Sequence, residues 1–147
     1  MFFVMIGMVT LVPSVVSFHS ETGKHESRER GRAEKEWTVF VYMAADNNLE
    51  DVAISDFNEM EMVGSGPDLN IVVQFDRISG HDASNGDWTD TRRFLVQQDF
   101  DPLTINTPPV NDSLGELNMG NPDTLSDFLE WGIDNYPARR YILVMWD

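Results

Sequence analysis

The stretch that decides the fold is TVFVYMAA, residues Thr38 to Ala45, an apolar run with almost no alternation between polar and apolar positions. A strand buried on both faces has this pattern, and such strands are typical of the centre of a parallel sheet. The run ends in Asp46-Asn47-Asn48, residue types that cap helices well, and Asn47 and Glu50 have capping-box spacing. The sequence therefore predicts a central strand followed directly by a helix.

The helix has an amphipathic face, and the turn Gly64-Ser65-Gly66-Pro67 ends it. Its apolar positions recur at spacings of three and four residues: Leu49, Val52, Ala53, Phe57 and Met60. LNIVVQFD, residues Leu69 to Asp76, then predicts a second buried strand. A strand, a helix and a strand in this order form a βαβ unit, whose crossover is right-handed.

The second half of the chain predicts a loop over residues 77–90, a more exposed strand over residues 91–98 and a long loop over residues 99–121. The exposed strand is expected at the sheet edge or in a hairpin, and a loop as long as the second one often carries function. Pro122 suits the first turn of a helix. The apolar face of that helix comprises Leu125, Phe128, Leu129, Ile133 and Tyr136. The order is β-α-β-β-α-β, and no helix follows the last strand, Tyr141 to Trp146, to cover it.

Each of the three most apolar strands ends in an aspartate: Asp46, Asp76 and Asp147. The carboxyl ends of parallel strands meet at one edge of the sheet, where ligands bind. Three carboxylates at that edge predict a pocket for a cation or for a basic side chain. Aspartate also caps helices and turns after strands, and the pattern fits both interpretations equally well.

Composition and charge favour one acidic domain behind an export segment. The net charge of −15 falls entirely on residues 37–147, and a surface this acidic repels nucleic acid. Residues 1–20 carry an apolar run that predicts a signal peptide or an N-terminal anchor, so we expect an exported protein. Residues 21–36 are polar and charged and predict a disordered linker. The folded domain is expected over residues 37–147.

Several chemistries have no support in the sequence. The chain contains no cysteine, no GxGxxG or GxxxxGK[ST] nucleotide motif and no G-x-S-x-G elbow. The acidic stretch from Asp82 to Asp90 lacks the ligand order of an EF-hand. His81, within the loop of residues 77–90, is expected to face solvent rather than to act as a base.

Two long stretches resemble the clostripain family of cysteine endopeptidases. WTVFVYMAADNNLE is similar to the opening of that family's peptidase domain, and GELNMGNPDTLSDFLEWGIDNYPARRYILVMWD is similar to its next block. The resemblance implies an α/β fold: a caspase-like three-layer sandwich with a mainly parallel sheet, incomplete in this chain. It also implies a polypeptide substrate with Arg or Lys before the scissile bond, which suits an acidic edge.

In that family the strand similar to YILVMWD runs into a His-Gly that holds the catalytic base, and the nucleophilic cysteine follows the next strand. The resemblance therefore places both beyond Asp147, and we expect residues 1–147 to be inactive without the C-terminal remainder of the domain. It further implies that Asp46, Asn47 and Asn48 contact substrate, with Asn118 and Met119 facing the same groove. Helix capping explains Asn47, Asn48 and Asn118 equally well. The chemistry requires no cofactor, although calcium is used by some members.

Two alternatives to a peptidase fragment remain open at the level of sequence. The first is a non-enzymatic exported module whose acidic edge binds basic peptides or calcium. The second is an acidic calcium-binding exported protein unrelated to peptidases, which rests on the charge alone.

Overall fold

The computed structural model describes residues 34–147 and, as backbone, residues 6–9. The signal peptide or anchor predicted for residues 1–20 and the linker predicted for residues 21–36 lie largely outside the described residues. The elements are β1 (Ile6–Val9), β2 (Lys35–Ala45), α1 (Glu50–Val63), β3 (Leu69–Arg77), β4 (Thr91–Leu95), β5 (Pro109–Asn111), α2 (Pro122–Asn135) and β6 (Ala138–Trp146). Among the described helices, neither combines the length and the apolar character that crossing a membrane requires.

The strands form one sheet in the order β1-β6-β2-β3-β4-β5. Its three central strands are parallel, with Val41 of β2 level with Val73 of β3 and with Val144 of β6. The outer strands are antiparallel: β4 pairs with β3, β5 with β4, and Ile6–Val9 with residues 141–144 of β6. The βαβ unit predicted from TVFVYMAA and LNIVVQFD is therefore present, at the centre of the sheet.

Both faces of β2 are buried because each faces a helix. Val41 and Met43 belong to the core cluster under α1, which also contains Phe57. Phe40 and Tyr42 belong to the cluster under α2. This alternation confirms the interpretation of an apolar run without polar positions as a central strand, and the helix, sheet and helix layers confirm the predicted sandwich.

The strand predicted over residues 91–98 forms a hairpin with β3, as expected, but the prediction that it is more exposed was wrong. It ends at Leu95, and its residues Thr91, Arg93 and Phe94 are buried. The loop that follows returns over it: Thr107 accepts a hydrogen bond from the Gln97 amide, and β5 adds a further strand outside β4. A short strand within the predicted loop of residues 99–121 thus covers the expected edge.

The predicted capping box of Asn47 and Glu50 is also wrong. The Asn47 side chain accepts from the Leu49 amide at 2.7 Å and donates to the Ala44 carbonyl at 2.8 Å, which forms the turn between β2 and α1. Glu50 points inward, and its carboxylate accepts from Arg77 Nε at 2.6 Å. Burial beside a cation stabilises the Glu50 side chain here, so it does not reach back to cap the helix. The start of α2 is as predicted, with Pro122 in the first turn and Asn121 accepting from the Asp123 amide.

Two buried carboxylates attach the long loops to α1. Glu50 pairs with Arg77 at the start of the helix and accepts from the Asp82 amide at 2.8 Å, while Arg77 donates to the carbonyls of Asp82 and Ser84. Near the end of the helix, Glu61 accepts from the amides of residues 106 and 107. These contacts give the loops after β3 and β4 fixed positions although they contain little regular structure.

Candidate functional site

The carboxyl ends of β2 and β3 bring two of the three predicted aspartates together. Carboxylate oxygens of Asp46, Asp76 and Glu116 lie within 4.8 Å of one another. Asp76 lies inside β3, level with Ala44, and Arg77 ends the strand. Asp147 does not belong to the group, since it follows β6 on the opposite side of β2 from β3. Two strand spacings of roughly 10 Å in total separate these strands.

The third carboxylate is carried by a stretch that crosses the top of the sheet, residues Gly115 to Gly120, here called the crossing segment. At β4, the Thr91 amide donates to the Gly115 carbonyl, and the Thr91 hydroxyl accepts from the Leu117 amide. At β2, the Tyr42 hydroxyl donates to the Met119 carbonyl at 3.0 Å. Because both neighbours of Glu116 are bound to Thr91, Glu116 is held beside Asp76.

Asp76 is a buried carboxyl, 2% exposed, whose Oδ1 accepts from the Thr91 hydroxyl at 2.6 Å. Burial is the largest cause that raises its pKa, to about 6 from 3.8. The hydrogen bond from Thr91 opposes this shift, and the charges of Glu116, Asp46 and Asp90 add to it. The pKa of Glu116 is raised as well, by burial and by Asp46 and Asp90. The edge therefore concentrates negative charge that a cation would stabilise.

Replacing Asp76 with asparagine is expected to raise the free energy of unfolding at pH 7.5 by about 1–3 kcal/mol. In the folded protein the carboxyl holds its proton up to about pH 6, whereas an ordinary aspartate loses it near 3.8. Its contribution to stability is therefore full below pH 3.8 and is lost as the pH rises through 6. Urea denaturation across this range measures the difference, which should vanish below about pH 4. Asp68→Asn, at an exposed loop residue, is the control for removing one charge. An equal gain at all pH values would contradict the explanation.

The other predicted groove residues take local structural positions. Asn47 forms the turn after β2, and Asn48 is exposed. Asn118 accepts from the Gly120 amide through its side chain and from the Asn121 amide through its carbonyl, which shapes the turn before α2. Met119 is half-buried, and its sulfur accepts from Gln74 Nε2 at 3.4 Å. Of these residues, Asn118 and Met119 lie on the crossing segment.

The structure adds residues that the sequence did not indicate. Strand alternation places Tyr42 and Gln74 on the same face as Asp76, and this period of two was readable once both strands were assigned. Glu116 gave no signal, because it lies in a long loop whose path depends on Thr91. His81, the only histidine among residues 34–147, is exposed in its loop as expected.

The fold and the edge site together define the class of protein. A solved chain of a cysteine protease from B. fragilis superposes with a TM-score of 0.58 and 22% sequence identity, covering 76% of this chain and 87% of that chain. That likeness shows an α/β sandwich of the caspase-like cysteine peptidase type. The family model of the clostripain family matches residues 41–147, and the chain belongs to this family of cysteine peptidases.

A curated relative agrees with this assignment. Clostripain of Hathewaya histolytica is 30% identical over 117 residues, which are 74% of this chain and 22% of that protein. The chain thus spans about a fifth of the clostripain sequence. Family membership removes the alternative of an acidic protein unrelated to peptidases.

Proposed function

We propose that residues 37–147 are the N-terminal part of an exported clostripain-like cysteine endopeptidase that cleaves after Arg or Lys. The observation that carries this proposal is the family match over residues 41–147, which ends on the strand beside the central β2. The catalytic histidine and cysteine belong to sequence that follows Asp147. Since this chain contains no cysteine, it has no peptidase activity by itself.

The preference for a basic substrate side chain is supported by charge at the sheet edge. Asp46, Asp76 and Glu116 converge there, and Asp90 is near enough to raise the pKa of Asp76. A guanidinium or ammonium group placed among them would form charge-assisted hydrogen bonds and offset their mutual repulsion. Binding of this side chain would position the scissile carbonyl for a thiolate and for the donors that stabilise the oxyanion.

The test begins with the coding sequence after codon 147. We expect His-Gly directly after Asp147 and a cysteine farther along. The complete protein, assayed with peptide amides that differ only in the residue before the scissile bond, should prefer Arg and Lys over Gln by at least about 100-fold. A complete coding sequence with neither catalytic residue would refute the peptidase, whereas activity with no preference for basic residues would refute only the specificity.

A second candidate is an exported, non-enzymatic module that binds basic peptides or calcium. The group formed by Asp46, Asp76 and Glu116 favours it, because carboxylate oxygens are ligands that Ca²⁺ prefers. A stop codon after codon 147, together with a rise in melting temperature on adding Ca²⁺ or an arginine-rich peptide, would support the module. His-Gly and a downstream cysteine would instead support the endopeptidase.

A further inference from the structure

The crossing segment is fixed by side chains from three neighbouring strands. Thr91 of β4 binds it at Gly115 and Leu117, and Gln74 of β3 donates to the Met119 sulfur. Tyr42 of β2 donates its hydroxyl to the Met119 carbonyl. The segment therefore spans the edge from β4 to β2, with Glu116 between the contacts at one end.

A line of polar side chains stands behind these contacts. Gln74 accepts from Arg93 Nε at 2.8 Å, and Arg93 also donates to Asp127 of α2 at 2.5 Å. The Arg93 guanidinium lies over the ring of Trp131, 4.7 Å from its centroid. Arg93 and Gln74 are buried, so their orientations are set by these partners and by packing. This orients the Gln74 amide, whose nitrogen reaches Met119.

We infer that Tyr42 is a positioning residue of the proposed peptidase, which fixes the crossing segment so that Glu116 and Asn118 are presented to the basic side chain of the substrate. The inference rests on the proposed function and extends it to a residue that does not itself reach the substrate. Tyr42 is 1% exposed, and among the described residues its hydroxyl has Met119 as its hydrogen-bond acceptor. The ring belongs to the core under α2, whereas the hydroxyl acts on the edge.

The two parts of the side chain can be separated experimentally. Tyr42→Phe keeps the ring, which packs against Phe128, and removes only the hydrogen bond to the segment. The matched control is Tyr141→Phe, on the same face of the sheet. The Tyr141 ring stacks on Phe40, and its hydroxyl accepts from the Ala138 amide at 3.0 Å. Tyr141 is level with Thr38, whereas Tyr42 is level with Met145, so the control hydroxyl lies nearer the opposite end of β2.

The test compares both variants in the complete peptidase. We expect Tyr42→Phe to raise KM for arginyl substrates about 3- to 10-fold, with kcat within about twofold of the parent, since a binding segment loses its fixed position. Hydrogen exchange of the amides of residues 117–121 should accelerate in Tyr42→Phe. Tyr141→Phe should leave KM and these exchange rates unchanged, although it also removes one hydrogen bond.

Each outcome bears on a different statement. An active parent enzyme in which both variants show the same KM would overturn the positioning role, as would unchanged exchange of residues 117–121 in Tyr42→Phe. A rise of KM confined to Tyr42→Phe, with faster exchange, supports it. A complete parent protein without peptidase activity would instead refute the proposed function, and the positioning role with it.

Discussion

Replacing Arg77 with methionine is expected to lower the free energy of unfolding by about 3–5 kcal/mol, because it leaves the buried Glu50 carboxylate without its cation. Both side chains of the pair are fully inaccessible, and Arg77 Nε lies 2.6 Å from Glu50 Oε1. The guanidinium also lies over the Trp88 ring, 4.2 Å from its centroid, and binds carbonyls of the following loop. Urea denaturation followed by tryptophan fluorescence measures the loss.

The control for this prediction is the double variant Glu50→Gln with Arg77→Met. The introduced glutamine would retain an oxygen for the Asp82 amide, while methionine fills part of the arginine volume. We expect the double variant to recover at least half of the stability lost in Arg77→Met. If the single and double variants are equally destabilised, packing rather than the uncompensated charge explains the loss.

Replacing Gly64 with alanine is expected to cost about 2–5 kcal/mol, the second large effect. Gly64 follows α1 with a φ of 66°, a region that disfavours residues with a Cβ. An added Cβ would overlap the backbone nitrogen of Gln98 and would lie 2.5 Å from its Cα. Since these are backbone atoms, relief requires the end of the helix and the loop after β4 to move apart.

Gly66→Ala, two residues away, is the matched control. Its φ is not in the left-handed region, and an added Cβ would have no heavy atom within 4 Å. We expect its free energy of unfolding to stay within about 0.5 kcal/mol of the parent. Melting temperatures of the two variants, measured side by side, give the comparison. A similar loss in both would show that flexibility of the turn, rather than the close approach at Gly64, sets the cost.

Sequence pattern and structure agree most closely at the centre of the sheet. TVFVYMAA and LNIVVQFD predicted central parallel strands because residues with both neighbours buried leave no room for polar alternation. The pattern at residues 91–98 was misread for the same reason in reverse. Arginine and threonine looked like surface residues, but Arg93 is buried through its contacts with Gln74 and Trp131. Burial of a charged side chain depends on partners that are distant in sequence.

The candidate site divides in the same way. Asp46 and Asp76 could be placed at one edge from the sequence, since both end strands that the βαβ pattern makes parallel. Asp147 shares that pattern but stands on the far side of β2, because the position of a strand within the sheet is set by topology and not by its composition. Asn47 and Glu50 have the spacing of a capping box, yet the pairing of Glu50 with Arg77 overrides it.

The sequence by itself determined the layers of this protein, the order of its central elements and the family to which it belongs, because these follow from periodicity and from long ordered motifs. Only the tertiary structure decided that Glu116 joins Asp46 and Asp76. The crossing segment has no periodic pattern, and its path follows from hydrogen bonds to Thr91 and Tyr42, residues that are 26 and 77 positions from their partners Leu117 and Met119. Contacts of that sequence separation form only once the sheet has assembled.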